Sequence, residues 1–185
     1  MMIPLKVSSE ELKRLCFVCG EQRVPEAGMH KHNYIWPLVY FLSMVKPKNV
    51  LEIGSYRGVS TEVLCLLCDK VTVVDPFLDP KIKEEFLLRM KPYLHKLTII
   101  EGLSPSALKD IPTGTFDMCY IDGDHNLQSV LDDIKECSRV VERGGIISGH
   151  DYEVVAQVTA GVILGLQGME PAIVLNDSTW ITCNG

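Results

Sequence analysis

The sequence predicts an α/β protein: a doubly wound, largely parallel sheet with helices on both faces. Three observations predict it. From Asn49 onward, short apolar runs alternate with segments of helical period. The runs close on Gly, Asp or Pro, as buried parallel strands do. The last two runs are separated only by Asn176-Asp177-Ser178-Thr179, a hairpin sequence that turns the final strand antiparallel.

Seven runs are expected as strands: 49–53, 71–75, 97–101, 116–122, 145–148, 172–175 and 180–183. Between them, 59–68 is apolar on nearly every face, as a helix beside a buried sheet would be. Segment 127–141 repeats Val130, Leu131, Ile134, Cys137 and Val141 at helical spacing. A third helix, 81–90, is closed by Pro92, and a fourth, 154–166, carries Gly161 and Gly165, which lower its propensity. The first 45 residues read as a helical appendage, with helices 9–18, capped by Ser8 or Ser9, and 36–45, with Pro37 in its first turn. Residues 46–185 are then one domain carrying the chemistry.

Composition narrows the function. Of 185 residues, 46% are hydrophobic, and 18 basic against 24 acidic side chains leave a net charge of −6. A core of ordinary size is available, and disorder is excluded. No stretch clusters Lys and Arg as phosphate neutralisation requires, so no nucleic-acid partner is expected. No apolar run approaches a membrane span, and the charged N-terminal stretch is unlike a signal peptide. Cys65, Cys68, Cys119 and Cys137, four of the seven cysteines, fall in apolar patterns as small core residues, which suits a reducing, cytoplasmic location.

In an open parallel sheet a ligand sits beyond the carboxyl ends of the strands, so the residues that follow each run are the informative ones. Here they are Glu52-Ile53-Gly54-Ser55-Tyr56-Arg57-Gly58-Val59-Ser60-Thr61, Asp75-Pro76-Phe77, Glu101-Gly102-Leu103-Ser104, Asp122-Gly123-Asp124-His125 and Gly149-His150-Asp151-Tyr152. Gly54 and Gly58 permit a tight turn and a close backbone approach, and Asp75 stands where an acid accepts both hydroxyls of a ribose, which points to a nucleoside. A dinucleotide fingerprint would need glycine where Tyr56 and Val59 stand, so a pyrophosphate is disfavoured and an NAD-dependent oxidoreductase is the weaker alternative.

The segments VLEIGSYRGVST, VTVVDPF and FDMCYIDGDHNLQSVLDDIKECSRVVERGGIISGHDY resemble the class I S-adenosylmethionine-dependent methyltransferases, within them the small O-methyltransferases that include macrocin and cephalosporin-tailoring enzymes. The resemblance runs from Asn49 to Cys183. It implies a Rossmann-like sheet of order 3-2-1-4-5-7-6 and transfer of a methyl group to an oxygen of a small molecule or sugar. Glu52, Gly54, Ser55 and Gly58 would hold the methionine side of the donor, Asp75 its ribose, and Phe77 and Ser104 its adenine, with Asp122 also in the donor site. In related enzymes that methylate catechols and caffeoyl-coenzyme A, a divalent cation is held at positions matching Asp122 and the pair His150-Asp151. His150 departs from the usual acid, so Mg²⁺, another divalent cation or no metal all stay open. His125 stands where those enzymes place the lysine that takes the acceptor's proton, and an imidazole suits that role.

Plainer readings stand beside these. Asp122 and Asp124 also read as loop and helix-start caps, His125 as a solvated first-turn residue, and His150 as a hydrogen-bonded loop histidine. Asp132-Asp133 and 81–85 read as solvated helix faces. Cys16-x-x-Cys19 with His30-x-His32 has the residue types of a zinc site but not a standard spacing, and His30, His32, Tyr34 and Trp36 could equally border the acceptor pocket. Either a large acceptor or a neighbouring subunit in a homo-oligomer would complete an exposed acceptor site. A non-catalytic S-adenosylmethionine-binding scaffold is the rival outside catalysis.

Overall fold

The computed structural model describes Arg14 and residues 35–185. The expected helix 9–18, the Cys16/Cys19/His30/His32 set and Tyr34 lie outside the described residues. Helix α1 (Trp36–Val45) begins with Pro37 in its first turn and ends at Lys46 in the left-handed region (φ 54°). Its Leu38, Val39 and Leu42 are buried in the same cluster as Val50 and Leu64, so the helix read with the first 45 residues shares the core of the sheet.

Strands β1 (Asn49–Ile53), β2 (Lys70–Asp75), β3 (Leu97–Glu101), β4 (Phe116–Ile121), β5 (Val141–Gly149), β6 (Ile173–Val174) and β7 (Trp180–Cys183) form one sheet of order β3-β2-β1-β4-β5-β7-β6. The first five pair in parallel, and β7 runs antiparallel to both β5 and β6. Helices α2 (Val59–Leu67) and α3 (Pro80–Met90) pack with α1 on one face of the sheet, and α4 (Leu127–Val140) and α5 (Ala156–Gly165) pack on the other. The apolar interior divides by face, one cluster around Val50, Leu64, Val73 and Phe86 and the other around Leu51, Ile121, Ile134 and Val162. Alternate residues of one strand supply opposite faces, as Val50 and Leu51 illustrate.

Several boundaries differ from expectation for physical reasons. Strand β5 starts directly after α4, because a register shift against Phe116 and Met118 lets residues 141–144 extend the ladder. Strand β6 keeps two residues, both exposed at the sheet edge. The glycines that weaken α5 by propensity serve its packing: a Cβ on Gly161 would meet Val130 at 2.7 Å and one on Gly165 would meet Ile134 at 2.9 Å, so their absence lets α5 close on α4. Asp79 caps α3 by accepting from the Lys81 amide at 2.9 Å.

A charged cluster lies on the opposite side from α4. Glu62, fully buried on α2, accepts from Arg14 Nε at 2.5 Å and Nη2 at 2.9 Å, from Arg89 Nη1 at 2.9 Å and from the Tyr93 hydroxyl at 3.0 Å. A carboxylate this far from water depends on those donors. Glu62→Ala is expected to cost about 2–4 kcal/mol, below the range for a fully desolvated pair because both arginines keep some solvent contact. A lower urea midpoint at unchanged slope is the readout, and an unshifted midpoint would reduce the cluster to a screened surface pair.

Candidate active site

The strand order places β1 and β4 side by side at the centre, with following helices on opposite faces, so a crevice opens where the two chains part. Gly54 lies at that point with φ 82°, and a Cβ on it would stand 2.2 Å from the Asp122 carbonyl oxygen. Its small size is required by the neighbouring loop of the chain itself. Gly58, with φ 80°, leads into α2 and is held close to Phe86, whose ring a Cβ would meet at 2.9 Å.

The carboxylates of the crevice have distinct environments. Asp75 Oδ2 accepts from the Ser55 amide (2.8 Å) and hydroxyl (3.1 Å) and from the Tyr56 amide (3.0 Å), while Oδ1 accepts from the Phe77 amide (2.8 Å). It therefore shapes the turn after β1 as well as closing β2. Glu52 is fully buried; its Oε2 accepts from Thr61 Oγ1 at 2.5 Å, and its Oε1 has no hydrogen-bond partner among the described residues. Burial pushes its carboxyl up to about 8. Phe77 turns into the core, 6% exposed with its ring 5.0 Å from that of Phe86, and the Ser104 hydroxyl is buried with no hydrogen-bond partner among the described residues.

Beyond β4 and β5 the acids meet two histidines. His125 Nε2 lies 3.0 Å from Asp151 Oδ2, and His150 Nδ1 lies 3.2 Å from Asp151 Oδ1. Burial opposes charge on His150, but the hydrogen bond to Asp151 and the fields of Asp122 and Asp177 outweigh it and lift the imidazole to about 9. The bond to Asp151 likewise raises His125. Burial works against the charge on Asp151, and the two imidazoles overcome it and hold its carboxyl well below the usual range. Asp122 is raised by burial, with His150 offsetting part of the effect. Ligand atoms of Asp122, His125 and Asp151 lie within 4.8 Å of one another. The resemblance placed His150 with Asp122 and Asp151; among the described residues His125 converges with those two acids, and His150 contacts Asp151. Asp124 accepts from Asn126 and from Ser129 Oγ (2.8 Å) and holds the entry to α4.

Thr61, the last residue of the segment that follows the first strand, bonds Glu52. Two participants are not evident from sequence spacing. Asp177, 3% exposed, faces His150 from the hairpin, a contact no sequence spacing announces. Asp133, expected on a solvated face, is buried; its position three residues after Val130 and one before Ile134 is the available signal.

Residues 51–152, just over half of the chain, match the model of a family described as a methyltransferase domain. The chain belongs to this methyltransferase-domain family. No curated protein sequence matches it. Among solved structures it resembles an O-methyltransferase from Bacillus cereus in complex with S-adenosylhomocysteine, at 16% identity over 96% of this chain and 90% of that one (TM-score 0.64). The SAH-bound methyltransferase PaMTH1 of Podospora anserina is 19% identical over 97% of this chain and 89% of that one (TM-score 0.64). The O-methyltransferase TomG from Streptomyces achromogenes, involved in tomaymycin synthesis and solved with S-adenosylmethionine, is 16% identical over 98% and 93% (TM-score 0.63). At these identities the likeness establishes the fold of this methyltransferase-domain protein. Among its described helices none is long and apolar enough to cross a membrane.

The crevice groups dictate a pH response. His150 and Glu52 bind a proton more tightly folded than unfolded, so their contribution is complete below the ordinary values of 6.5 and 4.5 and is lost as pH rises through about 9 and about 8. The thermal midpoint is expected to fall between pH 7 and about 9, and to fall less in His150→Gln. A midpoint that rises over this interval would contradict the assignment.

Proposed function

We propose that this methyltransferase-domain protein transfers the methyl group of S-adenosylmethionine to a hydroxyl of a small molecule or sugar. The observation that carries the reading is the pair Glu52 and Asp75 on either side of the Gly54 turn: a buried carboxylate with one acceptor oxygen unpartnered, and a second carboxylate on the neighbouring strand end. A ligand with an ammonium at one end and a ribose diol at the other complements them. The amides of Ser55 and Tyr56, which a dinucleotide's pyrophosphate would need, are already committed to Asp75, which counts against the NAD-dependent alternative.

S-adenosylmethionine, when bound, supplies a methyl group on a positively charged sulfur. The chain's part is to hold an acceptor oxygen in line with that methyl and to take the hydroxyl proton. His125 suits proton removal, because its bond to Asp151 orients the ring and stabilises the imidazolium, and the side chain is about half exposed at the crevice mouth. The same imidazole also fits a divalent-cation site with Asp122 and Asp151, an N,O,O donor set that suits Mn²⁺, Fe²⁺ or Zn²⁺ better than Mg²⁺. Such an ion would make an acceptor hydroxyl easier to deprotonate. The two uses exclude each other, because a ligating nitrogen has no lone pair left for a proton.

Asp75→Ala is expected to abolish binding of S-adenosylhomocysteine by calorimetry. His125→Ala should keep that binding and lose turnover by about 10²–10⁴-fold. Retained affinity in the first variant would remove the ribose assignment, and full turnover in the second would remove His125 from the chemistry. If His125 is the base, transfer falls as pH drops through a value above its ordinary 6.5 and needs no added metal. If it is a ligand, EDTA stops transfer and Mn²⁺ restores it. Donor binding with no turnover on any hydroxyl acceptor would favour the scaffold.

A further inference from the structure

The turn after β5 is held in a conformation that its own residues disfavour. Asp151 and Glu153 both lie in the left-handed region, at φ 62° and 69°, and Ser178, the hairpin residue that meets them, lies there at φ 70°. Of the seven non-glycine residues with positive φ among the described residues, three thus gather at one acid of the crevice. Glycine would take these angles freely, whereas a β-carbon crowds the neighbouring backbone. Such a conformation persists only where its surroundings over-determine it, and it collects at sites that use it.

Contacts from three directions over-determine this turn. The Tyr152 amide donates to the Ser178 carbonyl of the hairpin at 3.1 Å, and the Val155 amide closes the turn on the Asp151 carbonyl at 3.1 Å. The Tyr152 ring is buried in the cluster that holds Trp180 and Val158, with its hydroxyl donating to Glu170. From α5, Thr159 Oγ1 accepts from the Glu153 amide at 2.9 Å and donates to the Val155 carbonyl at 3.3 Å. The result is the aim of Asp151, whose Oδ2 reaches across to His125 Nε2 on the loop after β4 at 3.0 Å while Oδ1 lies 3.2 Å from His150 Nδ1. Rotation about N–Cα into the ordinary negative region would carry the Asp151 Cβ with it and open the contact to the neighbouring loop.

We propose that Thr159 is a positioning residue for the chemistry of the crevice: by bonding the Glu153 amide it locks the left-handed turn that points Asp151 at His125. This rests on the reading that His125 and Asp151 work together there, as a base with its orienting acid or as ligands of one ion. The contribution of Thr159 passes through the backbone of the turn. Its hydroxyl is therefore essential and its methyl group is not, and a residue that adopts φ 69° unaided at position 153 makes the hydroxyl dispensable.

The test is an NMR titration of the His125 ring in the full chain with EDTA present, with Asp151→Asn as the reference for a lost pairing. Thr159→Val, which keeps the shape and removes the hydroxyl, is expected to lower the His125 midpoint as far as Asp151→Asn does, and Thr159→Ser should stay at the parent value. Adding Glu153→Gly to Thr159→Val should restore the parent midpoint, a rescue that a merely structural threonine would not give. Asp122 and Asp124, the other acids near His125, stay in place in every variant, so the shift reports Asp151. A parent-like midpoint in Thr159→Val, or no restoration by Glu153→Gly, would overturn the proposal; Thr159→Ala, a better helix former, makes the same comparison if the valine variant does not fold. A parent-like midpoint in Asp151→Asn brings down the pairing and the inference with it. Calorimetry with S-adenosylhomocysteine keeps the two readings apart: the Thr159 variants are expected to bind within about threefold of the parent, and a parent that binds none brings down the donor-site reading while the titration still decides the role of Thr159.

Discussion

The contact between Gly54 and the Asp122 carbonyl is the constraint on which the rest of the site depends. Strands β1 and β4 are parallel neighbours, and their chains leave toward opposite faces, so the turn after one must pass the loop after the other within a distance that admits no side chain. Hydrogen bonds carry the ladder to its last residues, Gly54 donating to Val74 and Asp122 to Ile53 at 2.9 and 2.8 Å. Glu52, Asp75 and Asp122 are thereby delivered to one edge at fixed spacing. Close packing around backbone, more than any single ion pair, gives the crevice its dimensions.

The charges arranged on that frame are predominantly negative. Asp122, Asp151 and Asp177 face His150, whose imidazole is raised because it answers several acids at once, while burial favours the neutral form of Glu52. A dense group of partly desolvated carboxylates disfavours an anionic ligand and favours a cationic one, which a sulfonium with an α-ammonium satisfies.

Away from the crevice, polar groups work as fasteners. Asn184 Nδ2 donates to the Ser138, Val141 and Glu142 carbonyls and ties the chain end to the α4–β5 junction. Ser148 Oγ donates to the Cys119 carbonyl at 2.6 Å between two buried strands. Each satisfies a buried group that would otherwise cost stability, and each joins elements far apart in sequence.

The strands and the residues at their carboxyl ends were legible in the sequence, because apolar period and turn residues are local properties, and the strand order came from the resemblance. Gly54 and Asp75 could be singled out for the same reason. Glycines 161 and 165 read as weaknesses because propensity is local, whereas their use is contact with Val130 and Ile134 on another helix. Phe77, which the resemblance places beside the adenine, packs its ring against Phe86. Which imidazole converges with Asp122 and Asp151, and which acids are buried, was decided only by the tertiary structure. Sequence spacing says which residues reach the crevice edge, but side-chain direction and desolvation arise from neighbours that only the assembled sheet and helices bring near.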